Sequence, residues 1–275
     1  MEKYTQKKIA VINDISGYGR CSLTVAMPIL SVMGIQCCPV PTAILSNHTE
    51  FPVYFFDDYT SKMREYIGKW KELGLHFDAI SSGFLGSAEQ IEIVLEFVES
   101  FRGEDTLIVI DPVMGDHGKL YSRITSEHVD AMKHLCKRGD YLLPNLTEAA
   151  FLTGMPYREA CDGAYLIEMT EALCNFGAKG VIITGLSWDE GYTGWAGMLS
   201  GRLFSYRARR IHRSQHGTGD MFAAVTTGAL TLGKPLHVAA TLGAKFVEQV
   251  LRATPESTPF GANFETQLPW LWEQL

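Results

Sequence analysis

The sequence predicts an α/β fold: a single doubly wound, mainly parallel sheet with helices on both faces, occupying residues 1–275 as one domain. Three observations carry that expectation. Short apolar runs alternate with stretches of helical length, the pattern of βαβ units whose sheet is covered on both sides. Polar, Gly-rich clusters follow the apolar runs. No repeat, low-complexity tract or linker interrupts the order.

The elements follow in sequence. Residues 8–13 (KIAVIN) read as a strand, and residues 21–33 as a helix that stops at Gly34. Residues 37–41 form a second strand, and the amphipathic stretch 57–73 is a helix closed by Gly74. Further strands fall at 78–82, 106–111, 140–143 and 180–184, separated by helices near 87–101, 126–138 and 162–177. Between residues 191 and 210 the alternation of Gly, Thr, Trp, Tyr and Arg predicts antiparallel edge strands. Two apolar helices, 220–232 and 235–253, precede a final amphipathic piece with Trp270 and Trp272.

Composition narrows the function classes. Charged residues make up 20% and apolar ones 46%, as in an ordinary globular protein. The net charge of −7 argues against a nucleic-acid binder, which needs a basic patch. It leaves phosphorylated small molecules open, because backbone amides and a metal neutralise phosphate. There is no secretory h-region and no apolar stretch of membrane-spanning length. The six cysteines include no C-x-x-C pair and no zinc spacing, so reduced packing residues and a cytoplasmic protein are expected.

Open sheets of this kind bind ligands beyond the carboxyl ends of their strands. The segments 13–19, 46–49, 82–86, 111–118, 144–148 and 184–185 all fall there. Within His216-Gly217-Thr218-Gly219-Asp220, the glycines allow close backbone approach at a helix start, where free amides attract anions. Two readings stay open from those residues alone: Thr218 caps the helix and Asp220 complements its dipole, or the loop cradles a phosphoryl group beside a base. Asn145 and Glu148 stand at capping-box spacing, and equally suit a nucleotide and a hydrated Mg²⁺. In Asp111-Pro-Val-Met-Gly-Asp116, a carboxylate ends the most apolar strand and needs polar partners or cations.

Taken in order, DPVMGD, N-x-x-E and GTGD resemble the ribokinase superfamily, in its vitamin-kinase branch, over most of the chain. The resemblance implies a ribokinase-like fold, with Asp220 as catalytic base and Gly217, Thr218 and Gly219 lining an anion hole. It implies ATP as co-substrate and Mg²⁺ as cofactor, with Asp111, Asp116, Asn145 and Thr184 on the ATP side and Glu148 and Asp116 on the metal. A homodimer is implied as well, and a monovalent cation is left open.

The segments Ser46-Asn-His-Thr49 and SGFLGSAEQ (82–90) resemble pyridoxal kinases, in which the threonine and the aromatic contact the pyridine ring. That places Thr49 and Phe84 in the acceptor site. Asp220 also stands where hydroxymethylpyrimidine kinases usually carry cysteine. In the other direction, Asp14-Ile-Ser16-Gly17 and His216 are similar to hydroxymethylpyrimidine kinases. Asp14 and Ser16 then fall where the family contacts the ring, and a negative Asp14 would favour the amine of pyridoxamine. The expected function is phosphorylation of the 5′-hydroxymethyl group of a B6 vitamer, with hydroxymethylpyrimidine kinase as the alternative, alone or as a second activity. A non-catalytic descendant is disfavoured, having little use for a base. Arg207, Arg209, Arg210 and Arg213 read as a solvated edge or a nucleotide-facing patch.

Overall fold

Ile9, Ala10, Val11 and Ile12 alternate between two cores, and that alternation organises the molecule. A computed structural model describes residues 6–212 and 215–275. Strand β1 (Lys8–Tyr18) is followed by α1 (Ser22–Val32), β2 (Gln36–Asn47), β3 (Phe56–Asp58), α2 (Thr60–Glu72), β4 (Ala79–Ser82), α3 (Ala88–Phe101) and β5 (Leu107–Ile110). A hairpin, β6 (Gly115–Asp116) and β7 (Lys119–Leu120), precedes α4 (Ser126–Cys136), β8 (Tyr141–Leu142), α5 (Leu146–Thr153), α6 (Gly163–Cys174) and β9 (Gly180–Asp189). Then come β10 (Tyr192–Leu199), β11 (Arg202–Arg209), α7 (Thr218–Thr231), α8 (Leu236–Ala253) and, after a 3₁₀ turn, α9 (Leu268–Glu273).

Nine strands form one sheet in the order β11-β10-β9-β8-β5-β4-β1-β2-β3. Its centre is parallel, while β10, β11 and β3 pair antiparallel at the edges. Ala10, Ile12, Ile80, Ile108 and Ile110 face a core shared with α2 to α6. Ile9, Val11, Ala79 and Val109 face the other, shared with α1, α7, α8 and α9. A strand buried on both faces has no polar side, hence the unbroken apolar runs.

The expected α/β class and element order are present, and three departures have physical causes. Strand β2, expected over 37–41, runs on past Pro41 to Asn47, and Pro39 and Pro41 pair only with β1. Strand β3 covers β2 only at Ala43 to Leu45, so the missing N–H groups face an open edge. Residues 57–58, expected to start a helix, pair with β2 instead, and Thr60 begins α2. The hairpin 115–120, expected as loop, forms because His117 and Gly118 adopt positive φ (50° and 75°) at its tip.

Because β2 lies on one side of β1 and β4 on the other, the sheet's switch point opens between the ends of β1 and β4. All six cysteines are free. No helix among the described residues is long and apolar enough to cross a membrane.

Phe97, fully buried, packs its ring on Trp70, Phe77 and Phe101. Phe97→Ala is expected to lower the unfolding free energy by about 3–5 kcal/mol, read from urea denaturation.

Candidate active site

Helix α7 begins at Gly217, whose φ of +85° suits glycine. A Cβ there would meet the Arg20 carbonyl oxygen at 1.8 Å, so the loop is pressed against the entry to α1. The first rung of α7 is Met221 N–H to the Gly217 carbonyl at 3.0 Å, which leaves the amides of Thr218, Gly219 and Asp220 outside the ladder. Thr218 does not cap: its hydroxyl turns back to the Gln215 carbonyl at 3.2 Å. A Cβ built on Gly219 meets nothing within 4 Å, so the glycine keeps room over the helix start. Of the two readings of this loop, Thr218 as cap is excluded.

Asp220 stands in the first turn of α7, and its carboxyl pKa is pushed up to about 6. Burial is the main cause, followed by the nearby Asp14 carboxylate; the Ser22 amide, His216 and the Asn13 side chain pull the other way. Asn13 Nδ2 donates to Asp220 Oδ1 at 3.3 Å, while its Oδ1 accepts from the amides of Asp14 and Phe84, both at 3.0 Å. One amide side chain thus ties β1, the loop after β4 and α7 together. Gly83 makes room for it, since a Cβ there would sit 2.4 Å from Asn13 Nδ2. Sequence reasoning gave Asn13 no role; the available signal was a carboxamide ending a fully buried apolar strand.

Asp14 is buried, and its pKa is raised chiefly by that burial. Its Oδ1 accepts from Ser22 Oγ at 2.5 Å and its Oδ2 from Ser16 Oγ at 3.0 Å. Each Asp14 oxygen therefore already accepts one hydrogen bond from a neighbouring hydroxyl of the chain, Ser16 among them. The charge expected to select an amine is turned inward and discouraged. Ser22 itself has φ +55°, a left-handed conformation that costs a non-glycine residue about 1–2 kcal/mol.

The second group of carboxylates lies around the end of β5. Asp111 titrates well above the usual carboxylate range because it is buried near Glu148 and Asp220. Glu148 is raised too, first by burial, although backbone amides favour its anion. Its Oε2 accepts from the Asn145 amide at 2.8 Å and its Oε1 from the Met114 amide at 3.1 Å. Asn145 Oδ1 accepts in return from the Glu148 amide at 3.0 Å, completing a capping box, and its Nδ2 donates to the Gly115 carbonyl at 2.8 Å. Thr147 Oγ1 accepts from the Gly118 amide at 2.9 Å, so the start of α5 holds the β6–β7 hairpin at Gly115 and Gly118 and the residue before it at Met114. Thr184 pairs with Asn145 across a bridge and donates its amide to the Pro144 carbonyl. Asp116 is exposed on the hairpin and accepts from the His117 amide.

Amide donors leave each Glu148 oxygen a second lone pair, and no hydrogen bond reaches the Asp111 carboxylate among the described residues. Like charges buried together need a proton or a cation. An all-oxygen donor set of this kind fits Mg²⁺, which takes few carboxylates and keeps waters.

At the expected acceptor side, the Phe84 backbone is pinned at both ends, its amide to Asn13 and its carbonyl accepting from Thr42 Oγ1 at 3.0 Å. Much of SGFLGSAEQ is structural. Ser87 caps α3, and buried Gln90 bonds the Gly86 amide, the Thr42 carbonyl and Thr60. Thr49 lies exposed in the turn after β2. Beside it, His216 pairs with Glu50 at 3.3 Å and stacks on His48 at 4.1 Å. His48, Glu50 and His216 come close enough to suggest a metal site, but near-parallel stacked imidazoles do not aim their lone pairs at one point. Arg207 is spent on Asp189 and the rings of Trp188 and Tyr192, which favours the solvated-edge reading; Arg213 lies outside the described residues.

A glycine-opened helix start beside a carboxylate, facing a second carboxylate group across one sheet edge, belongs to a phosphotransferase of the ribokinase-like fold. The chain belongs to the phosphomethylpyrimidine kinase family, whose model matches residues 30–265. A Bacteroides thetaiotaomicron protein named for phosphomethylpyrimidine kinase and crystallised with pyridoxal is 41% identical, with a TM-score of 0.93 over 97% of this chain and 96% of that one. A pyridoxine/pyridoxal/pyridoxamine kinase from Bordetella avium is 29% identical over 86% of this chain and 82% of its own. A hydroxymethylpyrimidine/phosphomethylpyrimidine kinase from Haemophilus influenzae is 34% identical over 88% and 89%.

Asn145→Ala removes a helix cap and the Gly115 bond together. It is expected to lower stability by about 1–2 kcal/mol, measured by denaturant unfolding.

Proposed function

We propose that this chain, as one ribokinase-like unit, uses ATP to phosphorylate the 5′-hydroxymethyl group of pyridoxal, pyridoxine or pyridoxamine. The observation that carries the reading is Asp220: a carboxylate with its pKa lifted to about 6, one residue beyond the open space over Gly219, in the first turn of α7. A base poised near the working pH is what proton removal from an alcohol requires.

In this mechanism the acceptor's hydroxyl gives its proton to Asp220 as its oxygen bonds to the γ-phosphorus. The bond from that phosphorus to the β-phosphate bridging oxygen breaks, and ADP leaves. Gly217, Thr218 and Gly219 line the anion hole for the transferring group, at the positive end of α7. Asp111, Asn145 and Thr184 take the nucleotide side. Glu148, with Asp116 and the neighbouring Asp111, would hold Mg²⁺, whose charge offsets that of the phosphates. Thr49 and Phe84 serve the acceptor ring.

The pyridoxal in the 41% identical Bacteroides structure supports a pyridine acceptor, as do SNHT and SGFLGSAEQ. Hydroxymethylpyrimidine kinase is the second reading, favoured by DISG and by the 34% identical Haemophilus relative. A homodimer belongs to the same proposal, supported by exposed Ile44, Val53 and Phe55 around the β3 edge.

Comparing kcat/KM for the three vitamers and hydroxymethylpyrimidine decides the acceptor. A vitamer is expected to lead, and the pyrimidine leading would reverse the assignment. Asp220→Asn should keep ATP and pyridoxal binding while kcat falls by a factor of about 10²–10⁴. Because Asp220 must be ionised to accept a proton, wild-type kcat/KM should fall as pH drops through about 6.

A further inference from the structure

The loop that opens α7 and the turn that follows β2 meet through two imidazoles. His216, directly before Gly217, stacks on His48 with the ring centroids 4.1 Å apart and 23° between the planes. Its Nδ1 lies 3.3 Å from Glu50 Oε1. His48 is buried, and Gly19 keeps its place open, since a Cβ there would come within 2.2 Å of the ring. His48 Nδ1 accepts from the Glu50 amide at 3.4 Å, and its carbonyl accepts from the Phe51 amide at 3.3 Å. Residues 48–51 thus form a tight turn built around one imidazole, with Thr49 exposed inside it.

Two braces hold this turn. In one, the Phe51 ring stacks on Phe260 at 3.7 Å, and Gln215 Nε2 donates to the Thr258 carbonyl at 3.2 Å, so the C-terminal segment lies against both parts. His216 is the other brace, and its place differs. It touches the turn on both sides of Thr49, at His48 and at Glu50, and is joined directly to the first residue of the anion hole. Of the two parts it connects, the loop is the rigid one: Gly217 is pressed so close to Arg20 that a Cβ would meet the carbonyl oxygen at 1.8 Å. The exposed turn therefore takes its position from the loop.

We propose that His216 is a positioning residue for the acceptor: it pegs the turn that carries Thr49 to the rigid anion-hole loop. The acceptor's hydroxyl is thereby held at a fixed place relative to Asp220 and the phosphoryl cradle. The inference rests on the reading of Thr49 as an acceptor contact and Asp220 as base. It gives His216 no contact with substrate and no proton to move. What His216 supplies is a flat face for His48 and a nitrogen for Glu50.

Glu50 is exposed, so replacing it tests the contact without disturbing the core. Glu50→Ala should raise KM for pyridoxal about two- to fivefold, the scale of an exposed ion pair, and leave KM for ATP unchanged. His216→Ala also loses the stack; it should raise KM for pyridoxal about tenfold and lower kcat, again without moving KM for ATP. His216→Phe keeps the stack without the nitrogen and should match Glu50→Ala, and the two changes together should do no more than either alone. Equal rises in KM for both substrates in His216→Ala, the mark of a loosened fold, overturn the proposal. So does an additive His216→Phe/Glu50→Ala pair. Hydrogen exchange at the Glu50 and Phe51 amides, followed by NMR in the full-length protein without substrate, reads the peg itself. Exchange should quicken in His216→Ala, and an unchanged rate also overturns the peg. Because this readout needs no turnover, it separates failure of the peg from failure of the kinase reading.

Discussion

The site depends on carboxylates placed where water is scarce. Asp14, Asp111, Glu148 and Asp220 are all raised by burial, and among the described residues none has a lysine or arginine as its hydrogen-bond partner. Neutral groups stand in: amides of Asn145, Met114 and Ser22, hydroxyls of Ser16 and Ser22, and the carboxamide of Asn13. Neutral donors stabilise an anion without cancelling its charge. Under the proposed function, such a site keeps its negative potential for Mg²⁺ and its amides for the phosphates.

That arrangement follows from the doubly wound sheet. Parallel strands end together at one edge, and the switch between β1 and β4 leaves a gap there that α7 enters from the opposite core. The loops after β1, β4 and β5 are stitched together by a few local bonds. Asn13 ties β1 and the loop after β4 to α7, and the capping box of α5 fixes the β6–β7 hairpin that follows β5. The arrangement places the proposed base and the proposed metal side on separate rigid elements.

The order of strands and helices was legible because apolar period and glycine stops are local signals. So was the kinase class, carried by the residue types and order of DPVMGD, N-x-x-E and GTGD. What escaped was set by distant partners. Asp14 reads as an acid for the acceptor, with no hint that Ser22 donates to it, and Asn13 reads as the end of a strand until Phe84 and Asp220 converge on it. Thr218 has the residue type of a cap, yet Gly217 takes that place because Arg20 leaves no room for a side chain. Strand β2 outran its expected end since the rule that proline stops a strand applies to its paired edge, and Pro39 and Pro41 face the open one.

The bond from Asn13 to Asp220 joins residues 207 positions apart. During synthesis, the group around Asp111 and Glu148 is complete long before α7 leaves the ribosome, since domains gain such long-range contacts late. A nascent chain at that stage carries the proposed nucleotide and metal side but not the proposed base. Only when the last third of the chain docks against β1 does Asp220 gain its setting, so the proposed transfer step is withheld until the fold has closed.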